Sequence, residues 1–462
     1  MSVFTSTIAA ISTPPGKGGV ALIRISGEDA FAVAARVFRP MGSRTVSELP
    51  MRYAAYGDIY LGKEKIDDGL LTMFSAPNSY TGEDVAEICC HGGALVTRTV
   101  LEAVLSAGAL AAAPGEFTRR AFVNGRLSLT EAEAIGNLLE AKSAAQITLA
   151  AGAARGRLTE EIALIRERLT TLLSSIYARI DYPDEDLGDF TDSEARDILI
   201  GVKKKIDCLE HTYRTGRSIN EGIDTVICGK PNAGKSTLYN LILGEDAAIV
   251  TDVAGTTRDV LMRSAPLGNV LLNLYDTAGI HESLDTVEKI GIERTKERID
   301  DCELVLAVFD ISRPFDGDDE ELVNLLCTKG KTVIAILNKT DICNTGDVFD
   351  TSRLARLTEH ILPLSAKTGD ASALSKLIAK LFTDEEINIK EDAVVASARQ
   401  NSALRRAGEY VSSAIAAYDS GLASDVASSD TERALGAIAE LDGKAVAEAV
   451  VADIFSRFCV GK

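Results

Sequence analysis

The octapeptide GKPNAGKS, Gly229 to Ser236, restricts the folding of this chain more than any other stretch. It stands between an apolar run ending in TVICG and the helical run TLYNLIL. In that context a glycine-rich loop wraps phosphate with its backbone N–H groups and with the N-terminus of the helix that follows. Such a loop needs a strand before it and a helix after it. From Asp224 to about Leu381 the alternation continues, with TVICG, VLLNLYD, ELVLAVFD, TVIAILN and HILPLS as strand-like runs between helical stretches. This pattern predicts a largely parallel sheet covered by helices. Within the loop, Lys235 is placed to neutralise the β and γ phosphates, and Ser236 to offer a hydroxyl to Mg²⁺.

Later segments, in order, specify the base. Asp276, Thr277, Ala278 and Gly279 form DTAG at a strand end, where Asp276 reaches the magnesium shell and the Gly279 amide senses the γ-phosphate. In NKTD, Asn338 and Lys339 lead to Asp341, whose carboxylate accepts two hydrogen bonds from the ring and exocyclic N–H groups of guanine. Adenine lacks that donor pair, so the expected nucleotide is GTP. Ser365, Ala366 and Lys367 close the last strand, where a backbone N–H meets the guanine carbonyl. Ile280 follows DTAG, so the water-orienting glutamine of Ras-like proteins does not stand there. An arginine finger is worth about three to five powers of ten, so a substitute charge is needed as well. Asn232 is placed to offer a side-chain oxygen to a monovalent cation beside the phosphates; the alternative is an asparagine that only hydrogen-bonds within the loop. Glu282, Asp285 and Glu288 are the acids near the γ-phosphate.

A chain of 462 residues exceeds one ordinary core and suggests about three domains. Residues 1–120 mix short β-like runs with glycine turns, as in GGVALIRISG, GLLTMFSAP and VAEICCHGG, and predict an α+β domain. From about Leu127 the sequence becomes rich in Ala, Leu and Glu, with Ser128 and Glu131 spaced as a capping box. Leu158, Ile162, Ile165, Leu169, Leu172 and Ile176 then recur as one helical stripe. Residues 121–218 and 384–462 share this character, so one helical domain is interrupted by a nucleotide domain at 219–383. The expected fold class is therefore multi-domain α/β, with a Ras-like G domain inserted in a discontinuous all-α domain. The acid-rich segment IDYPDEDLGDF, Ile180 to Phe190, is read as a solvated loop.

A net charge of −19 argues against a protein coated in nucleic acid, so any RNA contact is local. No apolar run is long enough for a bilayer, and MSVFTSTIAAISTPPGKGG is no secretory signal, so residence in the cytoplasm without a membrane partner is expected. The eight cysteines show no CxxC and are mostly expected to be small buried apolar residues. No GxGxxG follows a strand, so no dinucleotide site is expected.

With GKPNAGKS joined to AAIVTDVAGTTRD, DTAGIHESLDTVEKIGIERT and the terminal FCVGK, the chain resembles the MnmE family of tRNA modification GTPases, also called TrmE. TPPGKGGVALIRISG, SYTGEDVAEICCHGG and PGEFTRRAFVNGRLSL extend the resemblance to the front of the chain. The resemblance implies an N-terminal tetrahydrofolate-binding-like domain that also forms a homodimer. It implies a GTP site from Asn232, Ala233, Gly234, Lys235, Ser236 and Thr237 through a first switch of Thr251, Asp252, Val253, Ala254, Gly255, Thr256 and Thr257. Potassium falls to Asn232, Thr251, Val253 and Thr256, magnesium to Ser236 and Thr257, and the water-orienting catalytic role to Glu288. Folate contacts fall to Arg24, Glu87, Arg126 and Lys462, with 5-formyltetrahydrofolate or methylene-tetrahydrofolate as the carbon donor. The implied partners are tRNA and the FAD-dependent flavoprotein MnmG. Cys459 belongs to the family's terminal C-x-G-K pattern but has no histidine beside it in sequence. The runner-up is a regulatory or ribosome-assembly switch of the Era type, which usually appends a Lys- and Arg-rich RNA-binding module that EAVVADIFSRFCVGK does not resemble.

Overall fold

The computed structural model describes residues 6–181, 191–244, 262–275, 298–342, 349–421 and 424–462. Two compact units divide the chain, one of residues 1–139, 153–202 and 406–462, the other of 140–152 and 203–405.

The first unit holds strands β1 (Ile8–Ile11), β2 (Val20–Ser26), β3 (Phe38–Pro40), β4 (Ala55–Leu61), β5 (Glu64–Phe74), β6 (Val85–His91) and β7 (Leu110–Ala111). Their order is β3-β4-β5-β6-β2-β1-β7, antiparallel except for the β1–β7 pair. Strict alternation sets the faces: Ala21, Ile23 and Ile25 of β2 and Ala86, Ile88 and Cys90 of β6 are buried, while Arg24 and Glu87 point to the other side. Helices α1 (Ala30–Val37) and α2 (Ala94–Ser106) supply Val33, Val37, Val100 and Val104 to the core on the buried face.

Helix α3 (Glu116–Val123) leads to α4 (Leu129–Glu140), which opens at the expected capping box. Ser128 N donates to Glu131 Oε2 at 2.6 Å, and Glu131 N to Ser128 Oγ at 3.2 Å. After α5 (Ala144–Ala154), the six stripe residues from Leu158 to Ile176 are all buried along α6 (Arg157–Asp181). Of the segment predicted as a loop from Ile180 to Phe190, Ile180 and Asp181 instead end α6, where the helical run carries on to the residues before Pro183, and residues 182–190 lie outside the described residues.

Helix α7 (Asp192–His211) runs from the first unit into the second at Lys203, and the second unit goes on with α8 (Tyr213–Asn220), β8 (Ile223–Gly229), α9 (Lys235–Leu243), β9 (Met262–Leu267) and β10 (Val270–Tyr275). Then come β11 (Leu304–Asp310), α10 (Gly317–Cys327), β12 (Thr332–Asn338), β13 (Ile361–Pro363) and α11 (Ser372–Phe382). Among the described residues the sheet order is β13-β12-β11-β8-β10-β9, parallel except for β9. Sequence reasoning had no strand for MRSAPL; Pro266 and weak alternation hide it, and the edge position tolerates the proline. Every residue of β11 is buried, because helices cover both faces. Leu304, Leu306 and Val308 pack with α9 and α11, whereas Val305, Ala307 and Phe309 pack with α10.

The Ala-rich sequence after Glu391 forms α12 (Ala398–Asp419), α13 (Ser424–Asp442) and α14 (Glu448–Ser456). In the first unit α13 packs along α6, and α14 meets α3 with Phe122 and Phe455 ring centroids 6.1 Å apart. No helix among the described residues is long and apolar enough to cross a membrane. The cysteine expectation needs correcting: Cys90, Cys228 and Cys302 are buried, but Cys208, Cys327 and Cys459 are exposed and Cys89 lies between. Position in the fold decides this, since α7, α10 and the final turn present their cysteines to solvent.

Candidate functional site

Between the end of β8 at Gly229 and the start of α9 at Lys235 the chain reverses through left-handed backbone, with φ of +62° at Asn232 and +100° at Gly234. Asparagine tolerates that region. At Gly234 any other residue meets a second obstacle, because a Cβ there lies 2.1 Å from Asn338 Nδ2. Lys235 Nζ donates to the carbonyls of Gly229 and Lys230, both at 2.9 Å, so the loop closes on its own ammonium. Burial pulls the Lys235 pKa below the ordinary lysine value. Ser236 and Thr237 are exposed in the first turn of α9, where the helix dipole favours anions.

On the other side of the site, β12 ends at Asn338, a buried side chain that bridges two loops. Its Nδ2 donates to Ala233 O at 2.8 Å, and its Oδ1 accepts from Ala366 N at 2.9 Å. Lys339, with φ of +70°, donates through Nζ to Asp310 Oδ2 at 2.6 Å. Burial alone would raise the Asp310 pKa, but hydrogen bonds from Lys339 and Ser312 outweigh it and hold the carboxyl below the usual range. Asp341 is exposed and its Oδ1 accepts from Ser365 Oγ at 2.7 Å. Ser365 Oγ accepts in turn from Thr368 Oγ1 at 2.8 Å, and Lys367 is exposed beside it. The structure thus brings Asn232–Thr237, Asn338–Asp341 and Ser365–Lys367 together at the carboxyl ends of parallel strands, where open α/β sheets bind ligands. Thr251–Thr257, Asp276–Gly279, Glu282, Asp285 and Glu288 lie outside the described residues.

In the N-terminal sheet, Arg24 and Glu87 are register partners on β2 and β6, and Arg24 Nε donates to Glu87 Oε1 at 2.8 Å. Their side chains are 15% and 21% exposed, enough for a ligand to reach both. The Arg24 guanidinium lies 5.1 Å from the Tyr80 ring centroid and 5.7 Å from that of Phe117. A carboxylate, a guanidinium and aromatic faces suit a planar heterocycle with an amide-like edge, so the donor set fits a pterin. Arg126 is exposed and ion-pairs with neither residue among those described; its turn is tied in by Asn124 Nδ2 donating to Thr81 O at 2.8 Å. Lys462 is half-buried, and the chain before it is fixed to the end of β1 by Ser12 Oγ donating to Gly461 O at 3.0 Å. Arg24 and Glu87 are therefore in contact, while Arg126 and Lys462 stand on neighbouring segments.

Two groups escaped sequence reasoning. Fully buried Arg120 donates to Ser6 O at 2.7 Å, Glu83 Oε2 at 3.0 Å and Glu116 Oε1 at 2.9 Å. Only the i,i+4 spacing of Glu116 and Arg120 hinted at this network. Lys230, inside the phosphate loop motif, ion-pairs with Asp316 and Asp319, and nothing local in the sequence links those positions. Among the described residues no cluster of His, Cys, Asp and Glu is arranged to hold a metal ion. The hydroxyl of Ser236 and the amide oxygen of Asn232 are hard oxygen donors, the type that Mg²⁺ and K⁺ take.

The family model for the MnmE helical domain matches residues 129–459, and that for the GTP-binding protein TrmE N-terminus matches residues 7–126. A tRNA modification GTPase MnmE from Lacticaseibacillus paracasei is 39% identical over 456 residues, covering 99% of this chain and 98% of that protein. Another, from a Thermoanaerobacter species, is 37% identical over 461 residues and covers 99% of both. A crystal structure of Era from Aquifex aeolicus, bound to GDP and aluminium fluoride, is 26% identical and covers 41% of this chain and 66% of its own, with a TM-score of 0.28. Matched by both family models and by relatives along nearly its whole length, the chain belongs to the MnmE family of tRNA modification GTPases.

Proposed function

We propose that this chain is a potassium-stimulated GTP hydrolase that works with the flavoprotein MnmG on the wobble uridine of tRNA. A tetrahydrofolate one-carbon unit supplies the methylene carbon that joins the base to the nitrogen of ammonium or glycine, which gives the aminomethyl or the carboxymethylaminomethyl group respectively. The observation that carries the reading is the meeting of Lys235, Asn338 and Asp341 at parallel strand ends, in a chain whose other sheet holds the reachable Arg24–Glu87 pair.

In this reading Lys235 and the loop amides bind the phosphates, and Asp341 selects guanine. Ser236 with Thr257 would hold magnesium, whose charge would offset that of the phosphates. Asn232 with Thr251, Val253 and Thr256 would hold potassium, whose charge would serve in place of an arginine finger's. Glu288 orients water. Arg24, Glu87, Arg126 and Lys462 bind folate, and redox cofactors belong to the partner. Hydrolysis supplies no transferred atom, so it acts by biasing a conformational equilibrium. The domains are then a folate-binding and dimerisation domain at 1–120, a helical domain at 121–218 and 384–462, and a G domain at 219–383, working as a homodimer in the cytoplasm.

The test is reconstitution with purified FAD-loaded MnmG, unmodified tRNA, GTP, methylene-tetrahydrofolate, NADH and either ammonium or glycine, in KCl or in NaCl at equal ionic strength. Modified nucleoside is expected only with every component present, and hydrolysis at least about tenfold slower in NaCl, a barrier difference of about 1.4 kcal/mol. GTP turnover with no modified nucleoside in the full mixture would favour an Era-type switch instead.

A further inference from the structure

Lys230 is the second residue of the phosphate loop motif, and its side chain turns away from the loop toward the start of α10. Its ammonium donates to Asp316 Oδ2 and to Asp319 Oδ2, both at 2.7 Å. Those two aspartates already form a reciprocal cap. Asp316 Oδ1 accepts from Asp318 N at 3.0 Å and from Asp319 N at 3.2 Å, while Asp316 N donates to Asp319 Oδ2 at 3.2 Å. Two carboxylates drawn onto one helix start repel each other, and the ammonium between them offsets that repulsion with its attraction to each. The Asp319 side chain is 3% exposed and that of Lys230 19%, so solvent screens this cluster less than an ordinary surface pair.

The backbone of Lys230 completes the connection. Its carbonyl accepts from Lys235 Nζ at 2.9 Å and from Ala233 N at 3.2 Å. Fixing the Lys230 side chain therefore fixes the carbonyl that aims Lys235. At its other end the same connection between β11 and α10 presents Asp310 to Lys339 of the guanine loop.

We propose that the segment Asp310–Asp319 is a positioning bracket for the nucleotide, in which the Asp316–Asp319 cap grips Lys230 and, through the Lys230 carbonyl, sets the ammonium that meets the phosphates. This rests on Gly229–Ser236 being the phosphate cradle. Lys230, Asp316 and Asp319 are positioning residues: they touch no reacting atom and act through Lys235. Loosening the bracket weakens binding in the ground state and the transition state alike, so KM rises while kcat holds.

The experiment follows release of a fluorescent GDP analogue from the full-length protein, with steady-state GTP hydrolysis alongside. Lys230→Ala and Asp316→Asn are each expected to speed release about tenfold and raise KM similarly, with kcat within about threefold. The double variant is expected to release no faster than Lys230→Ala alone, because both remove one interaction. Lys230→Arg, which keeps the charge, is expected to restore release to within about threefold of the parent. Asp316 is half-exposed, so its variant serves should Lys230→Ala fold poorly. Parent-like release from Lys230→Ala and Asp316→Asn, or effects that multiply in the double variant, overturns the bracket. Lys235→Ala separates the two levels. If it loses GDP while Lys230→Ala behaves as the parent, only the bracket fails; if it keeps GDP, the cradle fails too.

Discussion

In the second unit the charged groups sit past the ends of parallel strands, held by loops in left-handed backbone. In the N-terminal sheet they sit mid-strand, where Arg24 faces Glu87 across an antiparallel pair. The nucleotide loops depend on backbone shape, so a methyl group in the wrong place is as damaging as a lost charge. The N-terminal pair depends on side-chain chemistry alone, since any residue of β propensity keeps the strands in register. If the comparison holds, small steric changes disable the first region and charge removal disables the second.

The largest effect is expected from Gly234→Ala. The new Cβ would meet Asn338 Nδ2 at 2.1 Å on backbone with φ of +100°, and Asn338 joins Ala233 to Ala366. Left-handed strain of about 1–2 kcal/mol and one or two lost buried hydrogen bonds of about 1–3 kcal/mol weaken GTP binding by at least about a hundredfold. Nucleotide titration measures it, with folate affinity unchanged. GTP affinity near that of the parent would break the steric half of the comparison.

Glu288→Ala is expected to lower the hydrolysis rate by about two powers of ten with GTP affinity almost unchanged, because a water-orienting group acts in the transition state. Glu282→Ala is expected to do much less. Single-turnover hydrolysis in saturating KCl compares them, and a Glu288→Ala enzyme that keeps most of its rate removes the assignment.

The contrast also explains what could be read from the sequence. GKPNAGKS, NKTD and SAK are contiguous words because a strand-end loop wraps its ligand with consecutive residues, and their order located the sheet before its strands were seen. Arg24 and Glu87 are single charges in alternating strands, sixty-three positions apart, and β pairing that joins them is nonlocal. Only the family resemblance singled them out. Lys230 with Asp316 and Asp319, and Arg120 with Glu83, had no such help, since each pair forms only once distant segments fold together. The edge strand β9 was hidden by its proline, and the exposed cysteines by an expectation based on residue type rather than helix face.

Arg24→Ala and Glu87→Ala are each expected to weaken binding of 5-formyltetrahydrofolate about tenfold, the loss of one charge-assisted hydrogen bond of about 1.5–3 kcal/mol partly offset by water. Calorimetry measures it, with GTP affinity as the internal reference. Conservative Arg24→Lys is expected to recover only part, since a point charge cannot reproduce the planar fork. Parent-like folate affinity in both alanine variants would move the pocket elsewhere on the sheet.

The smallest effect concerns pH, where the two regions again differ in the partner that each carboxylate takes. Asp310 is paired with Lys339, and hydrogen bonds from Lys339 and Ser312 outweigh burial and hold its carboxyl below the usual range. On the N-terminal sheet Asp67 is paired with a histidine: its Oδ1 lies 2.7 Å from His91 Nδ1, and its Oδ2 accepts from His91 N at 2.9 Å. The Asp67 hydrogen bond, then its charge, raises the His91 pKa above the ordinary histidine value. Burial would raise the Asp67 pKa, but the hydrogen bonds from the His91 backbone and ring outweigh it and leave the carboxyl lowered. A raised histidine pKa gives stabilisation that is fully present below about pH 6.5 and lost as pH climbs through the folded value. The lowered aspartate pKa gives stabilisation present above about pH 4 and lost as pH falls through its folded value. The pair therefore supports this sheet most between those limits and less in alkali, whereas the lowered Asp310 pKa brings only the acid limit, with stabilisation lost as pH falls through its folded value. Titration of the His91 ring by NMR is expected to show a midpoint above the ordinary histidine value, returning toward it in Asp67→Asn. A His91 midpoint that Asp67→Asn leaves unmoved would show that the imidazole does not feel the carboxylate, and the two regions would then share one response to pH.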